Sequence, residues 1–238
     1  MATILVVAAI AFTVTPIFVV NAFRLLATDT FVRHEIDRGG FPPDRYGLTT
    51  AERRRLALTG LHSILPGGDG IALLERATLP DGSAAFGSRE LRHMRDVRSR
   101  LGAAFTAQLV ALVAILALAV ACRRSPRWRP VVPWGLLLGS VLTLGIAVGA
   151  VPVILLGFDG FFLRFHEVFF SGDTWRFSDT DTLLRIYPET FWQDTAKLAA
   201  AIVVAQAIVV GLAAGWWIRR IRPVSPISPV SPTPQSAS

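Results

Sequence analysis

Hydrophobic residues along this chain are concentrated in four long runs, and most charged residues lie in the segments between them. The runs cover residues 3–23, 101–122, 131–157 and 197–218. About 20 apolar residues in a helix cross the roughly 30 Å hydrocarbon core of a bilayer. The pattern therefore predicts an all-α integral membrane protein with four transmembrane helices. The first run lacks a basic start and exceeds the apolar length of a signal peptide, so it is expected to remain uncleaved.

Two longer polar segments, residues 24–100 and 158–196, are predicted to form a small and mostly helical domain. Proline and glycine clusters mark turns in the first segment, which shows no convincing β-strand alternation. Thr49 and Glu52 fit a capping box, which predicts that a helix begins there. The three consecutive arginines that follow Glu52 are interpreted as the solvated face of this helix. Another helix is predicted to begin near Ser88 and to continue into the second apolar run.

An aromatic segment directly follows the third apolar run. Its phenylalanines recur with the spacing of one helical face: Phe158, Phe161, Phe162, Phe165 and Phe169. His166 lies beside that face, and a titratable ring on an aromatic helix next to a membrane is a candidate for chemistry. Further along, Trp175, Tyr187, Phe191 and Trp192 are predicted to form an aromatic belt at the membrane interface.

The net charge of +7 would suggest a nucleic-acid-binding protein, but its distribution indicates a membrane topology instead. All 17 acidic residues lie within residues 24–100 and 158–196. Two short flanks, 123–129 and 219–222, contain no acid but hold Arg123, Arg124, Arg127, Arg129, Arg219, Arg220 and Arg222. By the positive-inside rule, these flanks and both chain termini are cytoplasmic, and the two acidic segments are extracytoplasmic. The Pro/Ser-rich residues 223–238 are predicted to be a disordered cytoplasmic tail.

Packing rather than covalent cross-linking is expected to hold the helices together. Cys122 is the only cysteine, so no internal disulfide can form. Four glycines of the third run are expected to let another helix approach closely: Gly135, Gly139, Gly145 and Gly149. No ionisable side chain interrupts the interior of the four runs, which argues against a proton- or ion-driven transporter.

His93 and His166 are the strongest candidates for chemistry, because the predicted topology places both on the same side of the membrane. A histidine can act as a base and as an acid near neutral pH. The alternative is that His93 is a solvated helix residue and His166 a hydrogen-bonded ring at the interface. A metal site that adds Asp96 and Glu167 to the two histidines is a weaker alternative, because neither His-Glu-x-x-His nor Cys-x-x-Cys is present.

Three groups of residues resemble motifs of a bacterial family of four-span membrane proteins that includes the lipoprotein intramolecular transacylase. The first group is Asp44-Arg45-Tyr46-Gly47-Leu48-Thr49 with Glu52 and Arg53, and the second is Glu90-x-x-His93-Met94-x-Asp96-Val97. The third is Phe165-His166-x-x-Phe169-Phe170 with Trp175, Asp181, Leu184, Pro188 and Phe191. These groups cover most of the chain up to the last apolar run.

The resemblance implies an enzyme of the bacterial cytoplasmic membrane, with its active site on the extracytoplasmic side. Such an enzyme moves an acyl chain from the glyceryl moiety of a diacylglyceryl lipoprotein to the α-amino group of the lipoprotein's N-terminal cysteine. His93 and His166 match the histidines implicated in catalysis in that family. Substrate-binding roles are expected for Glu90, Met94, Asp96, Phe165, Phe169, Trp175 and Asp181. The expected partners are diacylglyceryl lipoproteins and membrane lipid. No metal or other cofactor is expected. The protein is expected to be a monomer.

His166 is hypothesised to be the primary base in that reaction. His93 would polarise the ester carbonyl or shuttle the proton, with Asp96 or Glu90 orienting it. A non-enzymatic membrane protein that binds lipid or a partner at the aromatic segment is the alternative function. The two readings differ in one geometric expectation: shared catalysis requires the two rings to lie close together beside a groove that lipid can reach.

Overall fold

The computed structural model describes residues 1–221, and in that part of the chain the regular elements are all helices. They are α1 (Ala2–Leu26), α2 (Asp29–Asp37), α3 (Thr50–Ile64), α4 (Ala72–Glu75), α5 (Ser88–Cys122), α6 (Val131–Leu156), α7 (Phe158–Phe169), α8 (Thr182–Ile186) and α9 (Glu189–Arg220). One isolated antiparallel bridge joins Thr78 and Ala84. The predicted tail, residues 223–238, lies outside the described residues.

Four of these helices, α1, α5, α6 and α9, are long and apolar enough to cross a membrane. This confirms the predicted all-α fold with four spanning helices. Large apolar side chains cover the outside of the bundle; Leu116 and Leu212, for example, are largely exposed. Helix α5 is continuous from Ser88 for 35 residues, as predicted. The chain is therefore a multi-pass membrane protein in which α5 carries residues of the polar domain directly into the bundle.

Helix α1 makes a polar contact with each of the other three long helices. Thr15 hydrogen-bonds Thr143 of α6 at 2.8 Å, and Asn21 donates to the side chain of Gln206 in α9 at 2.6 Å. The amide of Gln108 in α5 donates to a backbone carbonyl of α1 at 3.1 Å. In lipid, polar groups that pair between helices hold them in register, because no water is present to compete. These contacts connect the four helices through α1.

Close packing of α6 on α1 depends on two of the four glycines predicted to allow it. A Cβ at Gly135 would lie 2.6 Å from Cβ of Ile10, and a Cβ at Gly139 would lie 2.6 Å from Cβ of Val14. Both distances are well inside van der Waals contact. The expectation is wrong for the other two, since open space surrounds the corresponding position at Gly145 and Gly149.

The polar domain at one end of the bundle has its own hydrophobic core. Leu56 of α3, Leu74 of α4 and Ile186 of α8 are almost completely buried in it. Tyr187 and Phe191, predicted to belong to an aromatic belt at the membrane interface, are also buried in this core. The prediction is wrong for these two residues, because the end of α8 and the start of α9 pack inside the domain.

The capping box that begins α3 is present, with Thr49 and Glu52 each bonding the backbone of the other. The solvated face predicted after it is wrong for its first arginine, because Arg53 is only 4% exposed. Its guanidinium donates to the carbonyl oxygens of Arg185, at 2.8 Å, and Pro42, at 2.5 Å. Arg53 therefore fixes the loop before α3 and the end of α8 to one another.

Candidate functional site

The rings of His93 and His166 lie next to each other, with centroids 6.1 Å apart and planes inclined by 26°. His93 belongs to the part of α5 that lies before the apolar run, and His166 to the last turn of α7. Each residue is only 8% exposed, so the alternative of a solvated His93 is wrong. The fold thus brings together two buried histidines that are far apart in the sequence.

Glu90 fixes the start of α5, one turn before His93. One of its carboxylate oxygens accepts the backbone N–H of Gly87 at 2.6 Å, and the other accepts that of Leu183 at 2.7 Å. Burial raises the pKa of Glu90, and the two backbone N–H groups act in the opposite direction. Both oxygens are thus occupied by backbone amides of α5 and α8, and the carboxylate positions the turn that carries His93.

His93 lies in an apolar environment that disfavours its charged form. Phe170 and Phe177 surround the ring, with centroids 4.9 Å and 5.4 Å away. The pKa of His93 is lowered to about 4, mainly by burial and also by the nearby His166, while Asp96 acts in the opposite direction. Within residues 1–221 its buried Nδ1 has no hydrogen-bond partner. His93 is therefore a neutral imidazole at physiological pH.

His166 is held by its own helix and by one large aromatic ring. Its Nδ1 lies 2.8 Å from the carbonyl oxygen of Phe162, and the Phe162 ring is 4.2 Å away between centroids. Trp175 also stacks against the His166 ring, with centroids 4.9 Å apart. Burial lowers the pKa of His166, while the hydrogen bond to Phe162 raises it. The ring is therefore fixed in orientation, and its depressed pKa favours the neutral form.

Both histidines line an apolar cavity of about 370 Å³. The cavity is formed by the C-terminal end of α1, by the polar domain and by α7. Its lining contains two carboxylates, Asp159 and Glu189. The sequence did not predict that residues of α1, α2 and α3 line the cavity. These residues include Phe23, Leu26, Phe31, Val32, Leu61 and Ile64. Their only signal was a hydrophobic helix face, which does not say what the face contacts.

The residues expected to bind substrate occupy different surroundings. Met94 and Trp175 line the cavity. Phe165 and Phe169 are half exposed on the outer side of α7 and do not line it, although the Phe165 ring lies 5.5 Å from that of His166. Asp181 accepts the backbone N–H of Ser178 at 2.8 Å in the loop before α8. The cavity thus directly includes two of these predicted residues.

The alternative metal site is not assembled as the sequence would require. Glu167 pairs with Arg164 at 2.9 Å on the exposed side of α7. Asp96 is half-buried and acts on His93 through its charge. In the part of the chain that the structure describes, no group of three or more His, Cys, Asp or Glu side chains could hold a metal ion.

Comparison with protein families identifies a model that matches the region around both histidines. A family model described as "Lipoprotein intramolecular transacylase Lit" matches residues 72–192. The matched region contains both histidines, the start of α5 and the whole of α7. It accounts for half of the chain and includes most of the cavity wall outside α1, α2 and α3.

Individual relatives extend this similarity over most of the chain. An uncharacterised protein of Aquifex aeolicus (strain VF5) is 30% identical over 187 residues, which is 79% of this chain and 82% of that protein. The fold is similar to that of the membrane-integral lipoprotein intramolecular transacylase Lit from Bacillus cereus, with a TM-score of 0.75 at 19% identity. That alignment covers 92% of this chain and 97% of the other. A histidine variant of the Bacillus cereus protein gives a TM-score of 0.68 at 18% identity.

Proposed function

The chain belongs to the family of lipoprotein intramolecular transacylases, and from this premise we propose that it transfers an acyl chain within a diacylglyceryl lipoprotein. It is a membrane acyltransferase, so the non-enzymatic alternative does not hold. The donor is an ester of the glyceryl moiety, and the acceptor is the α-amino group of the N-terminal cysteine. One observation carries the proposal: two buried histidines, with ring centroids 6.1 Å apart, line one apolar cavity.

His166 acts as the general base. Its Nδ1 donates to the carbonyl of Phe162, which leaves the lone pair on Nε2. The acceptor amine has an ordinary pKa of about 7.7–8.0 and is mostly protonated at neutral pH. A base works best when its pKa is near the operating pH. The pKa of His93 is lowered to about 4, which matches the ammonium poorly, whereas the hydrogen bond to Phe162 opposes the lowering of the pKa of His166. The role of base is therefore assigned to His166.

His93 stabilises the charge that develops on the ester carbonyl oxygen. Its Nδ1 is buried without a partner within residues 1–221. A buried N–H without a partner is costly, so the proton is expected on Nε2. From there it can be donated towards the carbonyl oxygen of a bound ester. A neutral donor fixed in an apolar site stabilises an oxyanion more than a donor in water does.

The bonds and protons of the reaction balance without a further reactant. His166 first takes one proton from the ammonium and releases it to water. The free amine nitrogen then attacks the ester carbonyl carbon and gives its second proton to the neutral His166. The tetrahedral intermediate breaks its bond to the glyceryl oxygen, which receives this second proton from His166 and leaves as a hydroxyl group. An ester and an amine become an amide and an alcohol. Donor and acceptor belong to one molecule, so holding them at close range supplies much of the rate enhancement.

The apolar cavity accommodates the acyl chain, and the exposed aromatic side of α7 contacts the bilayer. Met94 and Trp175 are in the cavity wall and are proposed to contact the chain. Phe165 and Phe169, half exposed on α7, are proposed to lie in the lipid interface beside it. Glu90 and Asp181 contribute by holding the adjoining turns, and Asp96 by its charge near His93.

The site is proposed to lie on the extracytoplasmic side of the bacterial cytoplasmic membrane. The arginine-rich ends of α5 and α9 and the loop between α5 and α6 are at the opposite end of the bundle from the polar domain. The positive-inside rule makes that arginine-rich end cytoplasmic. The substrate's N-terminus would then be reached from outside, with the protein acting as a monomer on diacylglyceryl lipoproteins and membrane lipid.

Mass spectrometry of a reporter lipoprotein tests this function. In a bacterial host that lacks other N-acylation, the wild-type protein should convert the diacylglyceryl form into the lyso, N-acylated form. His93→Ala and His166→Ala should abolish the conversion. His34→Ala is the matched control, because His34 is exposed and does not line the cavity. Equal conversion by all three folded variants would rule out histidine catalysis, and no conversion by the wild type would contradict the proposed reaction.

A further inference from the structure

A second cavity, of about 420 Å³, lies at the end of the bundle opposite the histidines. The ends of α5 and α9, the loop that follows α5 and the start of α6 form it. Three arginines contribute to its lining: Arg123, Arg129 and Arg220. The other side of the lining is apolar and includes Ala119, Val132 and Trp217. The cavity is therefore amphipathic, with cationic groups beside a hydrophobic wall.

The positive charge of this cavity has no compensating carboxylate in the described residues. No acidic residue occurs within 97–158 or 198–221, and no ion pair involves the three arginines in the part of the chain that the structure covers. Residues 222–238 also contain no acidic side chain. Nε of Arg129 donates to the Arg123 carbonyl at 2.7 Å, and Arg220 lies over the Trp216 ring at 4.8 Å. All three arginines are exposed to an anion that enters the cavity.

We propose that this cavity binds the phosphate group of an anionic phospholipid from the cytoplasmic leaflet. Arginine is suited to phosphate, because its planar guanidinium can donate two parallel hydrogen bonds to it. Basic pockets between membrane helices on the cytoplasmic side are suited to anionic headgroups. The apolar wall favours a lipid over free phosphate, since Ala119, Val132 and Trp217 can contact the glycerol and the start of an acyl chain. The site is separate from the histidine cavity and does not depend on the proposed reaction.

The chain offers a matched control for charge. Arg124, Arg127 and Arg219 lie in the same two flanks but do not line the cavity. A triple variant, Arg123→Gln with Arg129→Gln and Arg220→Gln, removes three positive charges from the cavity. The control triple variant, Arg124→Gln with Arg127→Gln and Arg219→Gln, removes the same number from the flanks. A difference in lipid binding between the two triple variants therefore depends on where the arginines lie. It does not depend on the number of charges removed or on the arginine count that sets the membrane topology.

Native mass spectrometry of the full chain measures the lipid directly. Protein equilibrated with an equal mixture of phosphatidylglycerol and phosphatidylcholine should retain phosphatidylglycerol with at least about tenfold preference, because nearby arginines attract a headgroup with net negative charge. The control triple variant should keep this preference, and the cavity triple variant should lose most of it. Inorganic phosphate, added alone, should not displace the bound lipid.

Three results would overturn the proposal. Equal retention of both lipids by the wild-type protein would exclude a site for anionic lipid. Loss of the preference to the same extent in both triple variants would assign it to the general charge of the flanks. Displacement of the lipid by inorganic phosphate would identify free phosphate as the ligand. If the cavity triple variant does not fold, the single variants Arg129→Gln and Arg127→Gln form the same comparison. The competition between the two lipids on the wild-type protein still tests whether anionic lipid is preferred.

Discussion

Nδ1 of His166 donates a hydrogen bond to the carbonyl oxygen of Phe162, 2.8 Å away and one turn earlier in α7. A carbonyl oxygen can only accept, so this contact places the proton of the neutral ring on Nδ1 and leaves the lone pair on Nε2. The same contact holds the ring against Trp175, whose centroid is 4.9 Å away. It therefore decides which nitrogen of His166 can remove a proton from a substrate.

Replacing His166 with asparagine separates the structural contact of the ring from its chemistry. The side-chain amide of asparagine can donate to the Phe162 carbonyl as Nδ1 does, but it has no basic nitrogen. His166→Asn is expected to fold normally and to lose about 10²–10⁴-fold in the initial rate of acyl transfer. His34→Asn should keep the wild-type rate. Activity close to wild type in His166→Asn would show that another group is the base.

The burial of His93 should make the stability of the protein depend on pH. The pKa of His93 is about 4 in the folded protein and about 6.5 in an unfolded chain. Between these values the unfolded state binds a proton that the folded state does not, so stability falls as the pH decreases from 6.5 to 4. The loss from this one group approaches roughly 3 kcal/mol. Denaturation in detergent at several pH values measures it.

His93→Gln is the comparison for this pH dependence, because glutamine keeps a polar side chain of similar size and does not titrate. Its stability should change less between pH 6.5 and pH 4 than that of the wild type. His62→Gln serves as the control, since His62 is exposed and bonds Asp29 at the surface of the polar domain. An equal pH dependence in the wild type and His93→Gln would contradict a strongly depressed pKa.

Glu90→Gln should weaken the attachment of α5 to α8. Both carboxylate oxygens of Glu90 accept backbone N–H groups, from Gly87 at 2.6 Å and Leu183 at 2.7 Å. A glutamine places an NH₂ donor opposite one of these donors, which is expected to cost about 1–3 kcal/mol of unfolding free energy. Glu167→Gln should cost less, because its ion pair with Arg164 is on the surface. Thermal unfolding of both variants in the same detergent gives the comparison.

The sequence predicted the four spanning helices and the continuous α5, because these features depend on local runs of apolar residues. The motif resemblance identified His93 and His166 as a pair. Their distance of 6.1 Å could not be predicted, since residues 93 and 166 belong to helices whose relative placement is set by tertiary packing. No local spacing relates two residues so far apart in the chain.

The wrong expectations for Arg53 and Tyr187 share a physical cause. Arg53 belongs to a run of three arginines and was expected to be solvated, but two backbone carbonyls from other segments accept its hydrogen bonds. Tyr187 has the composition of a membrane-interface residue, yet its hydroxyl donates to the Ala57 carbonyl inside the polar domain. In both cases the partner is a backbone oxygen, which the side-chain pattern of a sequence does not reveal.

Gly139→Ala should disrupt the packing of α1 on α6. The new Cβ would lie 2.6 Å from Cβ of Val14 and 2.8 Å from the carbonyl oxygen of Ala11. Backbone cannot move aside as a flexible side chain can, so the helices must separate at a cost of about 1–3 kcal/mol. Gly145→Ala is the matched control in the same helix, since nothing lies within 4 Å of its Cβ position.

The Gly145→Ala control should be neutral or slightly stabilising, because alanine restricts the unfolded chain more than glycine does and has a better helix propensity. Thermal unfolding in one detergent, at the same protein concentration, compares the two variants directly. The expected order of melting temperatures is Gly145→Ala at or above wild type, then Gly139→Ala below it. Equal melting temperatures would mean that α1 and α6 can move apart at Gly139 without loss. The close approach would then not determine the stability of the bundle.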